Sequence, residues 1–406
     1  MAQELYELPQ GWEWKTLQEL GKFSAGGTPS KSNPDFWGGD QLWITPKDMK
    51  SEKLRDSQLK ITDTAIDKSS AKLIPAGSIL IVARSGILRH TLPVCINEIE
   101  ATVNQDIKVF IPSKKITSAF CQKMLIGHEP MILRDLVKGG VTVESLKYQE
   151  FQNHPFPVPP LAEQERIVAK LDALFSRIDQ AIAQLQHTQA QTKALLNSGS
   201  KHSFDELSKR HGSSKLSSVV KINSGIALPK IFKNWEGTGD LPFYKVAQMN
   251  NDTRIMRNPE ITFSSNIGLK NRIKLFPAGS VLIPKRGGAI LTNKKRLLLE
   301  EASYDSNIMG LKADESILTD EYLFQFMLSL DLSDFIDTST IPQINNKHID
   351  RMQIPVPPLA EQSKIVAQLD AISERTQALT AATSAQLEKL GALKASLLDA
   401  AFRGQL

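Results

Sequence analysis

From Val168 onward the apolar positions fall at alternating spacings of three and four, through Leu171, Phe175, Ile178, Ile182 and Leu185, and Thr192 and Leu196 continue the register. That spacing predicts a coiled-coil seam on one helix. The rhythm returns at Ile365, Leu369, Ile372, Leu379, Leu390, Leu393 and Leu397, interrupted by Thr376 and Thr383. Each helix should span roughly 35 to 40 residues, or about 55 Å at 1.5 Å per residue. A lone helix with one apolar stripe is poorly stable, so the two most simply pack on each other. The other stretches, about 10 to 154 and 212 to 352, mix short β-branched runs with Gly and Pro turns and a helix or two, over 118–125 and 320–330. They read as α/β or α+β domains.

This alternation of domain and helix is a duplication. Pro157-Val158-Pro159-Pro160-Leu161-Ala162-Glu163-Gln164 returns as Pro355-Val356-Pro357-Pro358-Leu359-Ala360-Glu361-Gln362, and both copies run on through Ile-Val-Ala and Leu-Asp-Ala. A period near 200 residues is too long for a solenoid unit, so each copy is a whole domain followed by a helix. Weaker anchors keep the same order. Leu73 to Ile81 matches Leu275 to Ile283, with a Pro-Ala-Gly turn feeding an apolar strand. Leu17 to Gly26 matches Leu216 to Gly225, and Gly39-Asp40 with Met49 matches Gly239-Asp240 with Met249. Asn104-Gln105 parallels Ser306-Asn307, and Thr142-Val143 with Leu146 parallels Thr340-Ile341 with Ile344. Between anchors the halves diverge: Gly26-Gly27-Thr28-Pro29-Ser30-Lys31 stands against Gly225-Ile226-Ala227-Leu228-Pro229-Lys230. One scaffold carries two different surfaces.

An approximate two-fold relation between the halves would set the helices antiparallel, whereas parallel helices would place both domains side by side. The expected fold class is therefore α+β: two globular α/β domains joined by two long antiparallel coiled-coil helices in a pseudo-two-fold chain. The polar run Gly199-Ser200-Lys201-His202-Ser203 is expected to link the first helix to the second domain. The resulting boundaries are 1–154, 155–204, 205–352 and 353–406. The apolar end, Ala400-Ala401-Phe402 to Leu406, is expected to dock, with Trp12 and Trp14 as candidates to receive it.

Composition narrows the class. With 41% hydrophobic residues and no apolar run of membrane length, the 406-residue chain reads as globular and not membrane-bound. Met1-Ala2-Gln3-Glu4-Leu5-Tyr6 lacks the basic and apolar stretches of a signal peptide, so a cytoplasmic location is expected. Only Cys95 and Cys121 occur, which excludes a disulfide framework and a cysteine zinc finger. A net charge of +5 permits a polyanion partner without requiring one.

Catalytic motifs are missing. There is no phosphate loop of the Gly-x-x-x-x-Gly-Lys-Ser/Thr kind and no Gly-x-Gly-x-x-Gly fingerprint. Val158-Pro159-Pro160-Leu161 lacks the polar and aromatic residues of an amino-methyltransferase pocket, and the seven His form no His-x-x-x-His pair for zinc. Pro34-Asp35 with Asp40 reads as a turn rather than as nuclease carboxylates. The chain looks like a binder. Its basic clusters lie where the halves diverge: Arg84-Ser85-Gly86 takes the place of Arg286-Gly287-Gly288, next to Lys285 and ahead of Lys294-Lys295-Arg296. An arginine in a glycine-flexed loop can reach a base edge or a phosphate. The Pro-Pro pair reads as a helix start with Glu163 in the favourable first turn. Identity of Leu-Ala-Glu-Gln in both copies adds the expectation of a shared docking site.

Leu8-Pro9-Gln10-Gly11-Trp12, Gly27-Thr28-Pro29-Ser30, Leu42-Trp43-Ile44-Thr45, Asp48-Met49, Ile74-Pro75-Ala76-Gly77-Ser78, Asn104-Gln105 and both Pro-Pro-Leu-Ala-Glu-Gln helices resemble the specificity subunit of type I restriction-modification systems. The resemblance runs from Leu8 to Leu406, although Ala227-Leu228-Pro229-Lys230 departs from the Thr-Pro-Ser signature. It implies a non-catalytic subunit with two target-recognition domains and two helical regions. Two modification subunits would methylate adenine at N6, and two restriction subunits would join for ATP-driven translocation and cleavage. S-adenosylmethionine, ATP and Mg would sit on those partners, with no cofactor on this chain. The ligand would be double-stranded DNA with a bipartite, asymmetric target, its unread gap fixed by the coiled coil. Candidate DNA contacts are Thr28, Ser30, Lys31, Thr45, Lys47, Arg84 and Arg89 in the first domain. In the second they are Lys230, Lys245, Lys285, Arg286, Lys294, Lys295 and Arg296. Candidate partner-docking residues are Leu161, Glu163, Gln164, Leu359, Glu361 and Gln362. Rival readings are a specificity subunit serving another nuclease or methyltransferase system, a self-contained enzyme, and a coiled-coil scaffold that binds only proteins.

Overall fold

Each Pro-Ala-Gly turn feeds a strand whose every residue is buried, Ile79–Val82 in the first half and Val281–Pro284 in the second. The turn needs its glycine, because Gly77 and Gly279 sit in the left-handed region at φ 80° and 79°. At Gly279 a Cβ would also collide with the Asp320 carboxylate. The serine that follows completes the turn, Ser78 and Ser280 donating to Pro75 O and Pro277 O at 2.8 and 2.7 Å. This computed structural model describes residues 6–140, 143–336 and 341–406. Met1 to Leu5 and the Thr142 and Thr340 anchors lie outside the described residues.

Backbone contacts divide the chain into two units, residues 1–185 with 385–406 and residues 186–384. In the first unit a five-stranded sheet runs Gly21–Ala25, Ile107–Pro112, Ile79–Val82, Val94–Asn97, Lys53–Leu54. A three-stranded sheet, Leu59–Ile61, Trp37–Ile44, Thr102–Val103, lies in the same unit. The core gathers Ile79 to Val82, Val109 and Phe110 with Phe120 and Met124 of the helix Ser118–Gly127. In the second unit the corresponding sheets are Val220–Ser224, Ile308–Ala313, Val281–Pro284, Arg296–Leu297 and Ile261–Phe263, Leu241–Tyr244, Ser303–Tyr304. The helix Asp320–Ser329 covers the larger one, with Tyr322, Leu323 and Phe326 in its core.

Registers fix the equivalence of the halves. Val82 faces Ile107 as Pro284 faces Ile308, and Ile44 faces Val103 as Tyr244 faces Tyr304. Asn104 and Asp305 each then donate their N–H back to that strand, to Ile44 O and Tyr244 O, both at 2.9 Å. Asn104-Gln105-Asp106 therefore stands against Asp305-Ser306-Asn307, one residue away from the sequence pairing of Asn104-Gln105 with Ser306-Asn307. Offsets drift between anchors, so a match of polar types slips easily. The Leu146 and Ile344 pairing holds: their N–H groups donate to Ala83 O and Lys285 O at 2.8 and 3.0 Å.

The two long helices are Leu161–His211 and Leu359–Phe402. In both units their segments run antiparallel. In the first, Lys394 pairs with Asp179 while Arg166 donates to Leu406 O at 2.8 Å. In the second, Arg210 meets Glu361 at 2.7 Å while Gln189 donates to Ser384 Oγ at 3.1 Å. The first helix buries its predicted seam wholly or partly at Leu171, Phe175, Ile178, Ile182, Leu185, Thr192 and Leu196. The second corrects the prediction. Its seam steps by heptads through Leu369, Thr376, Thr383, Leu390 and Leu397, whereas Ile372, Leu379 and Leu393 are exposed. The threonines do not interrupt it. Thr383 is 3% exposed and donates its hydroxyl to Leu379 O at 2.7 Å, so no polar atom is left unpaired there.

The expected linker at residues 199–203 is also corrected. The helix runs through it to His211, because Phe204 and Leu207 bury themselves in the second unit's core, Phe204 edge-on to Tyr322 and Phe326. The boundary expected at 204/205 therefore falls inside a helix. At the far end Phe402 docks as expected, but against Phe120 and His128, with Tyr6 donating to its carbonyl at 2.6 Å. Trp12 packs at the margin of that core, and Trp14 lies edge-on to Tyr6.

Candidate nucleic-acid interface

In the first unit the ends of three strands open onto a cleft of about 970 Å³. Thr45 follows the strand Trp37–Ile44, Arg84 follows Ile79–Val82, and Gln105 and Asp106 precede Ile107–Pro112. The glycine-rich loop before Thr28 is tied down by Trp43, whose indole N–H donates to Gly27 O at 2.9 Å. Thr45 is capped through its N–H and its hydroxyl by the Asp48 carboxylate, both at 2.8 Å. Thr28 hydrogen-bonds Gln105, and the Arg84 Nε meets Asp106 Oδ1 at 2.9 Å. The lining therefore carries amide, hydroxyl and guanidinium donors with two carboxylates, and Lys31 and Lys47 are exposed in it. Such a surface can match the donor and acceptor edges of bases while its cations meet phosphates.

Five sequence-predicted residues share that cleft: Thr28, Lys31, Thr45, Lys47 and Arg84. Ser30 and Arg89 are exposed but do not line it. Ser30 shares a hydrogen bond with Ser32 at 2.8 Å, and Arg89 pairs with Glu144, whose carboxyl it holds below the usual range. Sequence reasoning missed Gln58 and Asp106. The signal for Asp106 was present in its replacement by Asn307 at the start of a shared strand.

The second unit places Lys245 where the first has Thr45, with its N–H on Gln248 as Thr45 has Asp48, and pairs its amine with Glu260 at 2.8 Å. Lys230 is exposed on the short turn Lys230–Phe232, and Lys285 donates to Ser224 Oγ at 3.1 Å. Lys294 bonds Asn250. Arg286 is exposed at the position of Arg84, and the two make matching antiparallel bridges, to Gln343 and to Ser145. Lys295 and Arg296 correct the prediction. They are 2% and 6% exposed, with Lys295 donating to Asn293 Oδ1 and Leu330 O and Arg296 donating to Lys295 O and Met249 O. Burial pushes the Lys295 amine down to about 8. Their charges serve interior carbonyls and do not reach a ligand surface.

The helix starts separate into two roles. Gln164 and Gln362 are fully buried. Gln164 accepts from Thr117 N–H at 2.9 Å and donates to Lys115 O and Pro159 O at 3.0 and 2.9 Å. Gln362 repeats this with Thr319, Ile317 and Pro357 at 2.9, 2.8 and 2.8 Å. This identity is a clamp between each long helix and the loop before its domain's core helix, so both glutamines are corrected as docking residues. Leu161 and Leu359 are each 44% exposed. Glu163 pairs with Arg166 at 2.7 Å, which lowers its carboxyl below the ordinary value, and Glu361 pairs with Arg210 and His211 at 2.7 and 2.9 Å.

Comparison with known proteins agrees with this architecture. The type I restriction modification DNA specificity domain matches twice, over residues 9–187 and 211–389. The specificity subunit of the Escherichia coli type I restriction enzymes EcoR124I/EcoR124II is 44% identical over 161 residues, 39% of this chain and 40% of that protein. The MjaIX specificity subunit of Methanocaldococcus jannaschii is 22% identical over 377 residues, 87% of this chain and 85% of that one. A chain solved in a study of complex assembly and conformational transition of the type I R-M system superposes with a TM-score of 0.78 at 22% identity, covering 99% of this chain and all of the other. The HsdS subunit from Thermoanaerobacter tengcongensis gives 0.58 at 22% identity over the full length of both. The chain belongs to the type I restriction-modification DNA specificity family and carries its domain twice.

Proposed function

We propose that this chain is the DNA-recognition subunit of a type I restriction-modification enzyme, itself without catalytic chemistry. It reads a bipartite, asymmetric duplex target, one half-site to each unit, through two target-recognition domains joined by the helical regions Leu161–His211 and Leu359–Phe402. The observation that carries this reading is the cleft that collects Thr28, Lys31, Thr45, Lys47 and Arg84 at the ends of three strands. In the second unit Lys230, Lys245, Lys285, Arg286 and Lys294 take the corresponding role. Exposed Leu161 and Leu359, beside Glu163 and Glu361, offer two like surfaces to two modification subunits, which with two restriction subunits carry out adenine-N6 methylation and ATP-dependent cleavage. S-adenosylmethionine, ATP and Mg belong to those partners. No described helix is long and apolar enough to cross a membrane, and a cytoplasmic complex fits this role.

The test is binding of the chain, assembled with its modification subunits, to target and scrambled duplexes at two salt concentrations. Tight binding to the target with a steep salt dependence is expected, since each phosphate contact releases a counterion. Equal affinity for both duplexes would sink the reading.

A further inference from the structure

The two arginines at equivalent strand ends are held differently. In the first unit the Asp106 carboxylate takes the Arg84 Nε on Oδ1, and its Oδ2 accepts from Asn104 Nδ2 at 3.3 Å and Gln105 Nε2 at 3.5 Å. Gln105 in turn bonds Thr28 across the cleft. In the second unit every member of that chain is replaced. Gly27 and Ile226 donate to Val103 O and Tyr304 O, both at 2.9 Å, which sets Ala227 in the place of Thr28. The strand registers set Ser306 and Asn307 in the places of Gln105 and Asp106. The carboxylate of this segment, Asp305, is turned to backbone, accepting from Val246 N–H at 3.1 Å and Asn307 N–H at 2.8 Å. Among the described residues no carboxylate lies within ion-pair distance of Arg286.

Holding Nε leaves the terminal nitrogens of Arg84 as a fixed fork, the pair that engages guanine O6 and N7. A side chain held by a second contact loses less freedom when it binds, and its angle is set before the base arrives. We propose that Thr28, Gln105 and Asp106 are positioning residues that fix Arg84 as a base reader, whereas Arg286, with no such support among the described residues, contacts the DNA backbone. The inference rests on the cleft being a DNA-reading surface.

The experiment compares wild type, Arg84→Ala, Asp106→Asn and Arg286→Ala, each assembled with the modification subunits. Every variant selects from duplexes randomised across both half-sites, at low and at moderate salt. Asp106→Asn should fold, because Asn307 already fills the equivalent backbone site with the same N–H bond to residue 305 as Asp106 makes to Asn104. Arg84→Ala should lose preference at one base pair by about 5- to 150-fold, and Asp106→Asn should lose most of the same preference at the same pair. Arg286→Ala should weaken all sequences alike and lower the salt slope by about one. Retained preference in Asp106→Asn alongside its loss in Arg84→Ala would overturn the positioning role. A base preference lost in Arg286→Ala would overturn the asymmetry. If Arg84→Ala instead changes neither preference nor salt slope, the cleft is not the reading surface and the functional proposal itself fails.

Discussion

At the scale of single residues, a few buried polar side chains tie the apolar cores to the long helices. Gln164 satisfies three backbone groups from one buried amide. Gln164→Leu would leave the Thr117 N–H and two carbonyls without partners, and the expected loss is about 2 to 3 kcal/mol. Urea unfolding should register that loss, and hydrogen exchange at the Thr117 amide should speed up. A change under about 0.5 kcal/mol would show that the freed groups turn to water. His128 offers a second check. Burial lowers its pKa from 6.5, and it packs against Phe156 and the docked Phe402. His154, also on Phe156, is lowered for the same reason. Below pH 6.5 the unfolded chain takes up protons that the native imidazoles resist, so stability present above that pH falls as the solution is acidified. His128→Gln should flatten this fall in a thermal melt series. An unchanged slope would place the acid sensitivity elsewhere. The sequence announced Gln164 by repeating it at Gln362, but the partner loop lies 47 residues away along the chain, so the repeat looked like an external site.

At the scale of elements, periodicity found both long helices and misread one face. Leucine and isoleucine at 372, 379 and 393 attracted the seam assignment, while the buried Thr383 that helps fill it has its hydroxyl paired within the helix. The polar run at 199–203 likewise read as a linker, though burial of Phe204 and Leu207 four and seven residues after Ser200 holds it helical. Local composition does not see that burial. Thr383→Asp should destabilise by about 2 kcal/mol or more, because it places a charge without a partner in a dry seam. Ile372→Ser and Leu379→Ser should each stay within about 0.5 kcal/mol. Thermal melts of the three variants decide the matter, and the reverse order would restore the seam read from sequence.

At the scale of the whole chain, duplication was the most legible feature, because identical octapeptides survive where each half must start a helix and clamp it. Which cations face outward was not legible. Lys294, Lys295 and Arg296 are one basic cluster in sequence, yet two of the three are buried on carbonyls and only strand register could reveal it. The central claim is that two differing surfaces on one scaffold read two different half-sites. Its most direct test is N6-methyladenine sequencing of DNA from cells carrying this chain with its partner subunits, for wild type and for Arg84→Ala. The expected result is a motif of two unlike half-sites separated by unread base pairs, with Arg84→Ala altering one half only. A palindromic or uninterrupted motif, or a change in both halves at once, would contradict it.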